Sequence, residues 1–212
     1  MSADIAAFIA ANLHLKPSAV PGIELYVAHP GSGLRRLAND DDDRPPYWAY
    51  GWAGGTVLAR YILDHPHTVF GRRVVDLGTG SGIVAIAAMQ AGAAEVLAID
   101  VDPHAVAAAT LNATANNVTV PTLCADIFDG PAPDCDVLLV GDLFYDRDTA
   151  KRLVALLDRC PGIDILVGDP YRAHLPQARL HRLAEYDVPD FGASGVQTSA
   201  VFRFSPAGAH KM

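Results

Sequence analysis

The chain has 212 residues and a formal net charge of −8, and half of its residues are apolar. That length suits one domain of ordinary size, or one domain behind an N-terminal extension, and the apolar share excludes wholesale disorder. No apolar run reaches membrane-span length, and the acid excess argues against nucleic acid, whose phosphates call for clustered Lys and Arg.

The N-terminus, Met1-Ser2-Ala3-Asp4, carries neither the basic region of a secretory signal nor the early arginines of a mitochondrial presequence. Residues 5–15 read as a short apolar helix stopped by Pro17, and residues 21–27 as a strand before the His29-Pro30-Gly31 turn. An acidic, proline-rich stretch, 39–46, contains Asp40-Asp41-Asp42-Asp43 and reads as a solvated loop. It divides an N-terminal extension, 1–44, from a main domain, 45–212.

From there helix and strand patterns alternate as in a parallel α/β sheet. Helices are expected over 52–63, 82–90, 103–116 and 147–158, the third with Pro103 at its first turn, where a missing N–H costs nothing. Strands are expected over 73–77, 95–99, 121–124, 136–140 and 163–167, followed by a strand pair, 179–188 and 197–204, joined through the glycine-rich turn 191–195. The pattern predicts a Rossmann-like, doubly wound sheet of seven strands, mostly parallel, with an antiparallel C-terminal strand. Ligands of such sheets bind beyond the carboxyl ends of the strands, near the switch in strand order.

Val74-Val75-Asp76-Leu77-Gly78-Thr79-Gly80-Ser81-Gly82 is the most informative run. A strand ends in an acid, and a glycine at every second position lets a ligand lie against bare backbone where a helix begins. Asp100 follows Gly80 by 20 positions and closes the next strand, where a carboxylate can accept from both ribose hydroxyls. Dinucleotide-binding and adenosyl-binding folds share that acid, so it does not choose between them.

Three details do choose. The loop is Gly-x-Gly-x-Gly, not the Gly-x-Gly-x-x-Gly of a pyrophosphate site. Asp76 would repel a pyrophosphate and attract a cationic group. Asp126 after the third strand can accept from an adenine amine, with Ile127 packed on the ring. Cationic tail, ribose and adenine together describe S-adenosyl-L-methionine better than NAD. The plainer alternative is that Asp76 and Asp126 cap helices. The cysteines, Cys124, Cys135 and Cys160, form no Cys-x-x-Cys pair, so neither a zinc site nor a disulfide framework is expected and a reducing cytoplasm is.

On these residues the chain resembles class I, seven-strand S-adenosylmethionine-dependent methyltransferases. Two flanking segments, Pro46-Tyr47-Trp48-Ala49-Tyr50-Gly51-Trp52-Ala53-Gly54-Gly55 and Gly141-Asp142-Leu143-Phe144-Tyr145-Asp146, resemble the seven-strand protein-lysine methyltransferases, whose post-strand motif is Asp/Glu-x-x-Phe/Tyr. Gly168-Asp169-Pro170 and Thr198-Ser199 add a likeness to the branch that modifies the electron transfer flavoprotein beta subunit. One departure is Ala53, where that branch suggests proline. The resemblance implies cofactor contacts at Trp52, Gly78, Thr79, Gly80, Asp100, Asp126, Ile127 and Gly141, and assigns Asp142 and Tyr145 to the target lysine. It covers residues 45–206 and leaves the first 44 unread. Another protein substrate such as a ribosomal protein, a small molecule, and a catalytically silent binding module remain as alternatives. A monomer is the default expectation.

A lysine must be neutral to attack a methyl group, and near pH 7 only about one in a thousand is, a cost of roughly 4 kcal/mol. Asp142 favours the charged form, so it is expected to position the amine, with Tyr145 orienting it and the proton leaving to solvent. Tyr47, Trp48, Tyr50 and Trp52 are candidates to line the lysine channel or to stack on the cofactor.

Overall fold

The computed structural model describes residues 2–37, 45–192 and 195–207. Asp40 to Asp43 and the middle of the 191–195 turn therefore lie outside the described residues. Helix α1 (Ser2–Asn12) leads into a two-stranded hairpin, β1 (His14–Pro17) and β2 (Glu24–Val27). The main sheet follows in the order β5-β4-β3-β6-β7-β9-β8. Its strands are β3 (Arg73–Leu77), β4 (Glu95–Asp100), β5 (Thr122–Cys124), β6 (Val137–Gly141), β7 (Asp164–Asp169), β8 (Leu180–Pro189) and β9 (Val196–Phe204). Neighbours from β5 to β7 are parallel, whereas β9 runs antiparallel between β7 and β8. The seven-stranded architecture is the one expected, and its strand order reverses between β3 and β6.

One expectation fails at the N-terminus. The apolar pattern suggested helix as far as Leu15, yet the helix stops at Asn12 and His14 to Pro17 pair with Val27 to Glu24. Leu13 is buried just ahead of the strand, whereas all four residues of β1 are exposed, so the strand has no apolar face for a sequence pattern to reveal.

In the main sheet, by contrast, successive side chains alternate between two apolar layers. Val74, Val96, Val137 and Leu139 face α2 (Ala53–Asp64) and α3 (Ile83–Gln90). Val75, Leu77, Leu138 and Val140 face α5 (Arg147–Leu157), whose Leu153, Leu156 and Leu157 are fully buried. Each such side chain contributes about 1.5–3 kcal/mol on leaving water. Helix α3 is apolar on every side because it lies inside the packing, its residues from Ile83 to Ala88 all buried. Helix α4 (Pro103–Ala115) starts on Pro103 with Asp102 as its cap, the carboxylate accepting from the His104 N–H at 2.8 Å.

Two asparagines on the far side of α4 hold the N-terminal hairpin. Fully buried Asn112 accepts from the Tyr26 N–H at 2.8 Å and donates to the Ser81 carbonyl at 2.8 Å. Asn116 accepts from the Glu24 N–H and donates to the Glu24 carbonyl. Strand β2 is thus bonded through α4 to the glycine loop. No helix among the described residues is long and apolar enough to cross a membrane.

Candidate active site

All eleven residues singled out in the sequence line one cavity of about 590 Å³. Taken across the sheet, its floor is Asp126 after β5, Asp100 ending β4, the glycine loop after β3, Asp142 after β6 and Arg172 after β7. The switch point in strand order lies in the middle, where a doubly wound sheet opens a crevice.

The glycine loop is held to its neighbour strand by backbone bonds. Gly78 N–H and Thr79 N–H both donate to the Ile99 carbonyl, at 2.8 and 3.0 Å. Gly80 N–H donates to Asp100 Oδ2 at 2.9 Å, and Asp102 N–H to Asp100 Oδ1 at 3.0 Å. Gly78 and Gly80 both sit at positive φ, which side chains beyond glycine resist. Asp100 uses one lone pair on each oxygen in this way and keeps the others for a diol. Its burial raises its pKa above the ordinary range.

Asp76 lines the cavity and also has partners within the protein. Its Oδ2 accepts from the Thr79 hydroxyl at 2.6 Å and the Ala85 N–H at 3.1 Å, and the side chain is only 1% exposed. It braces the loop and satisfies an otherwise orphan donor in the first turn of α3, a capping role that the adjacent Gly82 has no side chain to fill. Burial pushes its pKa up to about 7. These contacts make Asp76 a helix cap as well as part of the cavity wall, and they use only its Oδ2.

Asp126 also has protein partners already. Phe128 N–H donates to Oδ1 at 3.0 Å, and the Arg152 guanidinium reaches Oδ2 at 2.8 Å while bridging to Asp129. The Phe128 N–H and the Arg152 contact hold its carboxyl below its usual range. Ile127 packs against the α5-side core beside it.

The Asp142 corner is more elaborate than its motif suggests. Asp142 Oδ2 accepts from the Gly54 N–H at 2.9 Å, and Ala53 N–H donates to Asp190 at 3.0 Å. Arg172 spans both acids. Its Nε donates to Asp142 Oδ1 at 2.7 Å, and its Nη2 reaches Asp142 Oδ2 and Asp190 Oδ2, each at 3.2 Å. The Asp142 and Asp190 side chains are 9% and 8% exposed. The carboxylates meet the first turn of α2, where a helix favours negative charge. Asp169 lies beneath them, fully buried. Its Oδ1 accepts from the Arg172 N–H at 2.6 Å, its Oδ2 has no partner, and burial pushes its pKa up to about 7.

The approach of α2 to this corner depends on missing side chains. A Cβ on Gly54 would stand 2.5 Å from the Gly168 carbonyl oxygen, and one on Gly168 would stand 2.2 Å from that of Gly54. A Cβ on Gly141 would stand 3.0 Å from the Gly55 Cα. Gly141, expected as a cofactor contact, lines the cavity and also admits α2 to the sheet.

Aromatic rings continue the wall. Tyr145, half exposed, lies 5.6 Å from Tyr47; Trp52 lies 5.5 Å from Tyr47 and 5.4 Å from Phe191, which stacks on Tyr50 at 3.7 Å. The Trp52 indole N–H donates to the Tyr47 carbonyl, and its ring lies 5.9 Å beneath the Arg172 guanidinium. Burial raises the Tyr145 phenol pKa. Trp48 is buried instead, stacked against His104. Arg172, Asp190 and Phe191 were not foreseen. An arginine after β7 has no short-range signal, and only the Gly-Asp-Pro run ahead of it marked the turn.

The cavity, the side-chain-free backbone of the loop and the spare acceptors of Asp100 suit an adenosyl ligand. The family model for ribosomal protein L11 methyltransferase (PrmA) matches residues 54–139. The electron transfer flavoprotein beta subunit lysine methyltransferase of Rattus norvegicus is 43% identical over 172 residues, covering 76% of this chain and 68% of its own. Its homolog in Caenorhabditis elegans is 30% identical over 217 residues, covering 87% and 89%. A ribosomal protein L11 methylase from Lactobacillus delbrueckii subsp. bulgaricus shares the fold, with a TM-score of 0.54 at 22% identity over 74% of this chain and 81% of that one. By fold and by these relatives, the chain belongs to the family of electron transfer flavoprotein beta subunit lysine methyltransferases, enzymes that use S-adenosylmethionine as methyl donor.

Proposed function

We propose that this protein methylates lysine side chains of the electron transfer flavoprotein beta subunit. The observation that carries the reading is one continuous cavity lined both by the glycine loop with Asp100 and by Asp142 with Tyr145. In this reading Asp100 holds the ribose, the loop backbone and Ile127 hold the rest of the nucleoside, and Asp126 meets the adenine amine. Tyr47, Trp52 and Phe191 flank the methylene stem of the target lysine, and Asp142 and Tyr145 receive its nitrogen.

When bound, S-adenosylmethionine supplies the methyl: the lysine lone pair forms the N–C bond as the C–S bond breaks and its electrons stay on sulfur. The chain's own residues position the amine and exclude water, which is where catalysis of such a displacement lies. The lysine proton leaves to solvent before attack.

A monomer in a reducing cytoplasm, with neither membrane nor nucleic acid as partner, belongs to the same reading. The net charge of −8 supports the exclusion of nucleic acid and the three free cysteines the reducing compartment, while the monomer is the default. The test is to incubate the protein with labelled S-adenosylmethionine and purified flavoprotein and to map the label by mass spectrometry, with ribosomal protein L11 as the control substrate. Label on beta-subunit lysines is expected. Binding of S-adenosylhomocysteine by calorimetry without label on any of those lysines would sink the proposal.

A further inference from the structure

Asp142 has four lone-pair sites, and three are already taken: Arg172 Nε on Oδ1, and Gly54 N–H with Arg172 Nη2 on Oδ2. One acceptor site on Oδ1 remains for an incoming N–H. A free carboxylate would offer a lysine several sites and hold it as the ammonium, the form that cannot attack. Resting on the reading above, we propose that Arg172 is a positioning residue for methyl transfer, which aims the one free acceptor site of Asp142 at the target amine and offsets the charge that would keep that amine protonated.

The backbone on both sides of the ion pair supports this. Among the described residues three other than glycine have positive φ: Asn117, Asp142 and Tyr171. Asp142 is one member of the pair, and Tyr171 immediately precedes the other. Such conformations disfavour side chains, above all bulky ones, and persist only where the surroundings over-determine them. The turn after β7, tied by the Arg172 N–H to Asp169, sends the guanidinium back over the end of β6, where it lines the cavity above the Trp52 ring. A purely structural arginine would not need to form part of the cavity wall. The titratable groups facing this corner are Asp142 after β6, Asp169 ending β7, Asp190 after β8, Tyr145 and Tyr47 at the aromatic wall, and Asp100 across the floor. Among the described residues Arg172 is the cation at this corner; desolvation, the largest single influence on it, lowers its pKa, but Asp142, Asp190 and Asp169 together raise it above its usual value.

The experiment is single-turnover methylation of the flavoprotein from pH 6 to 10 by wild type, Arg172→Ala and Arg172→Lys, with S-adenosylhomocysteine affinity measured in parallel. The rate rises with pH as the lysine becomes neutral. Without Arg172 the uncompensated Asp142 raises the lysine pKa, so Arg172→Ala should move the rising limb up by about one pH unit and cut the rate at pH 7.5 by at least tenfold. Arg172→Lys keeps the charge and loses the two-point hold, so its limb should stay in place while its plateau falls about tenfold. Both should bind S-adenosylhomocysteine within about threefold of wild type. An unmoved limb in Arg172→Ala, or a wild-type plateau in Arg172→Lys, overturns the proposal, as does a tenfold loss of S-adenosylhomocysteine affinity in either. If Arg172→Ala does not fold, the Arg172→Lys plateau decides. Wild type that labels no lysine at any pH defeats the substrate reading instead, so the two failures are distinct.

Discussion

The Gly54 amide donates to the Asp142 carboxylate at 2.9 Å, so the start of α2 and the proposed lysine-positioning acid are built as one unit. Their approach is possible because neither Gly54 nor Gly168 has a Cβ.

Gly54→Ala and Gly168→Ala should therefore each destabilise the fold by about 1–3 kcal/mol or more, since the added methyl meets backbone that cannot rotate away. Urea unfolding measures this. Gly51→Ala, where a Cβ meets nothing within 4 Å, is the neutral control.

Asp142 and Asp100 should separate catalysis from cofactor affinity. Asp142→Ala should bind S-adenosylhomocysteine within about threefold of wild type and lose at least 100-fold in turnover. Asp100→Ala should weaken that binding by about 10- to 100-fold, the value of charge-assisted bonds to the ribose. Calorimetry and a methylation assay on the same preparations check both, and normal turnover by Asp142→Ala removes it from the mechanism.

Asn112 links Tyr26 on β2 to Ser81 in the glycine loop, both contacts at 2.8 Å. Asn112→Ala leaves a buried N–H and a carbonyl without their partner, at about 1–3 kcal/mol each. The expected result is a protein about 2–4 kcal/mol less stable whose S-adenosylhomocysteine affinity also falls, because the loop loses its tether. Loss of stability with unchanged affinity would show the hairpin to be a passive cover.

Asp169 should leave a signature in the pH dependence of stability. Its pKa is 3.8 when unperturbed and about 7 in the folded protein. Between those values the native state holds a proton that the unfolded chain has released, so this residue's contribution falls as pH rises through that interval. Asp169→Asn removes the titration and should flatten the decline between pH 4 and pH 8 by roughly 2–4 kcal/mol relative to wild type. Denaturant unfolding at four pH values tests it, and parallel curves for the two proteins would refute it.

Much of this molecule is legible in its sequence. Short continuous apolar runs alternating with longer helical segments marked the parallel strands, which are buried on both faces, and the position of acids at strand ends located the cavity, because a parallel sheet carries its loops to one edge. The loop spacing and the Asp142-x-x-Tyr145 motif are local patterns that survive in one dimension. What only the tertiary structure decided is how those acids are occupied. Asp76 is a brace, Asp126 is shared with Arg152, and Asp142 is held by Arg172 from 30 residues away. These partners reach their acids through long-range packing, in which β7 lies beside β6 and α2, through its own Gly54, beds on Gly141 and Gly168 of the sheet. Charge and spacing along the chain say where a carboxylate will be, but its free lone pairs depend on which donors the fold brings within about 3 Å.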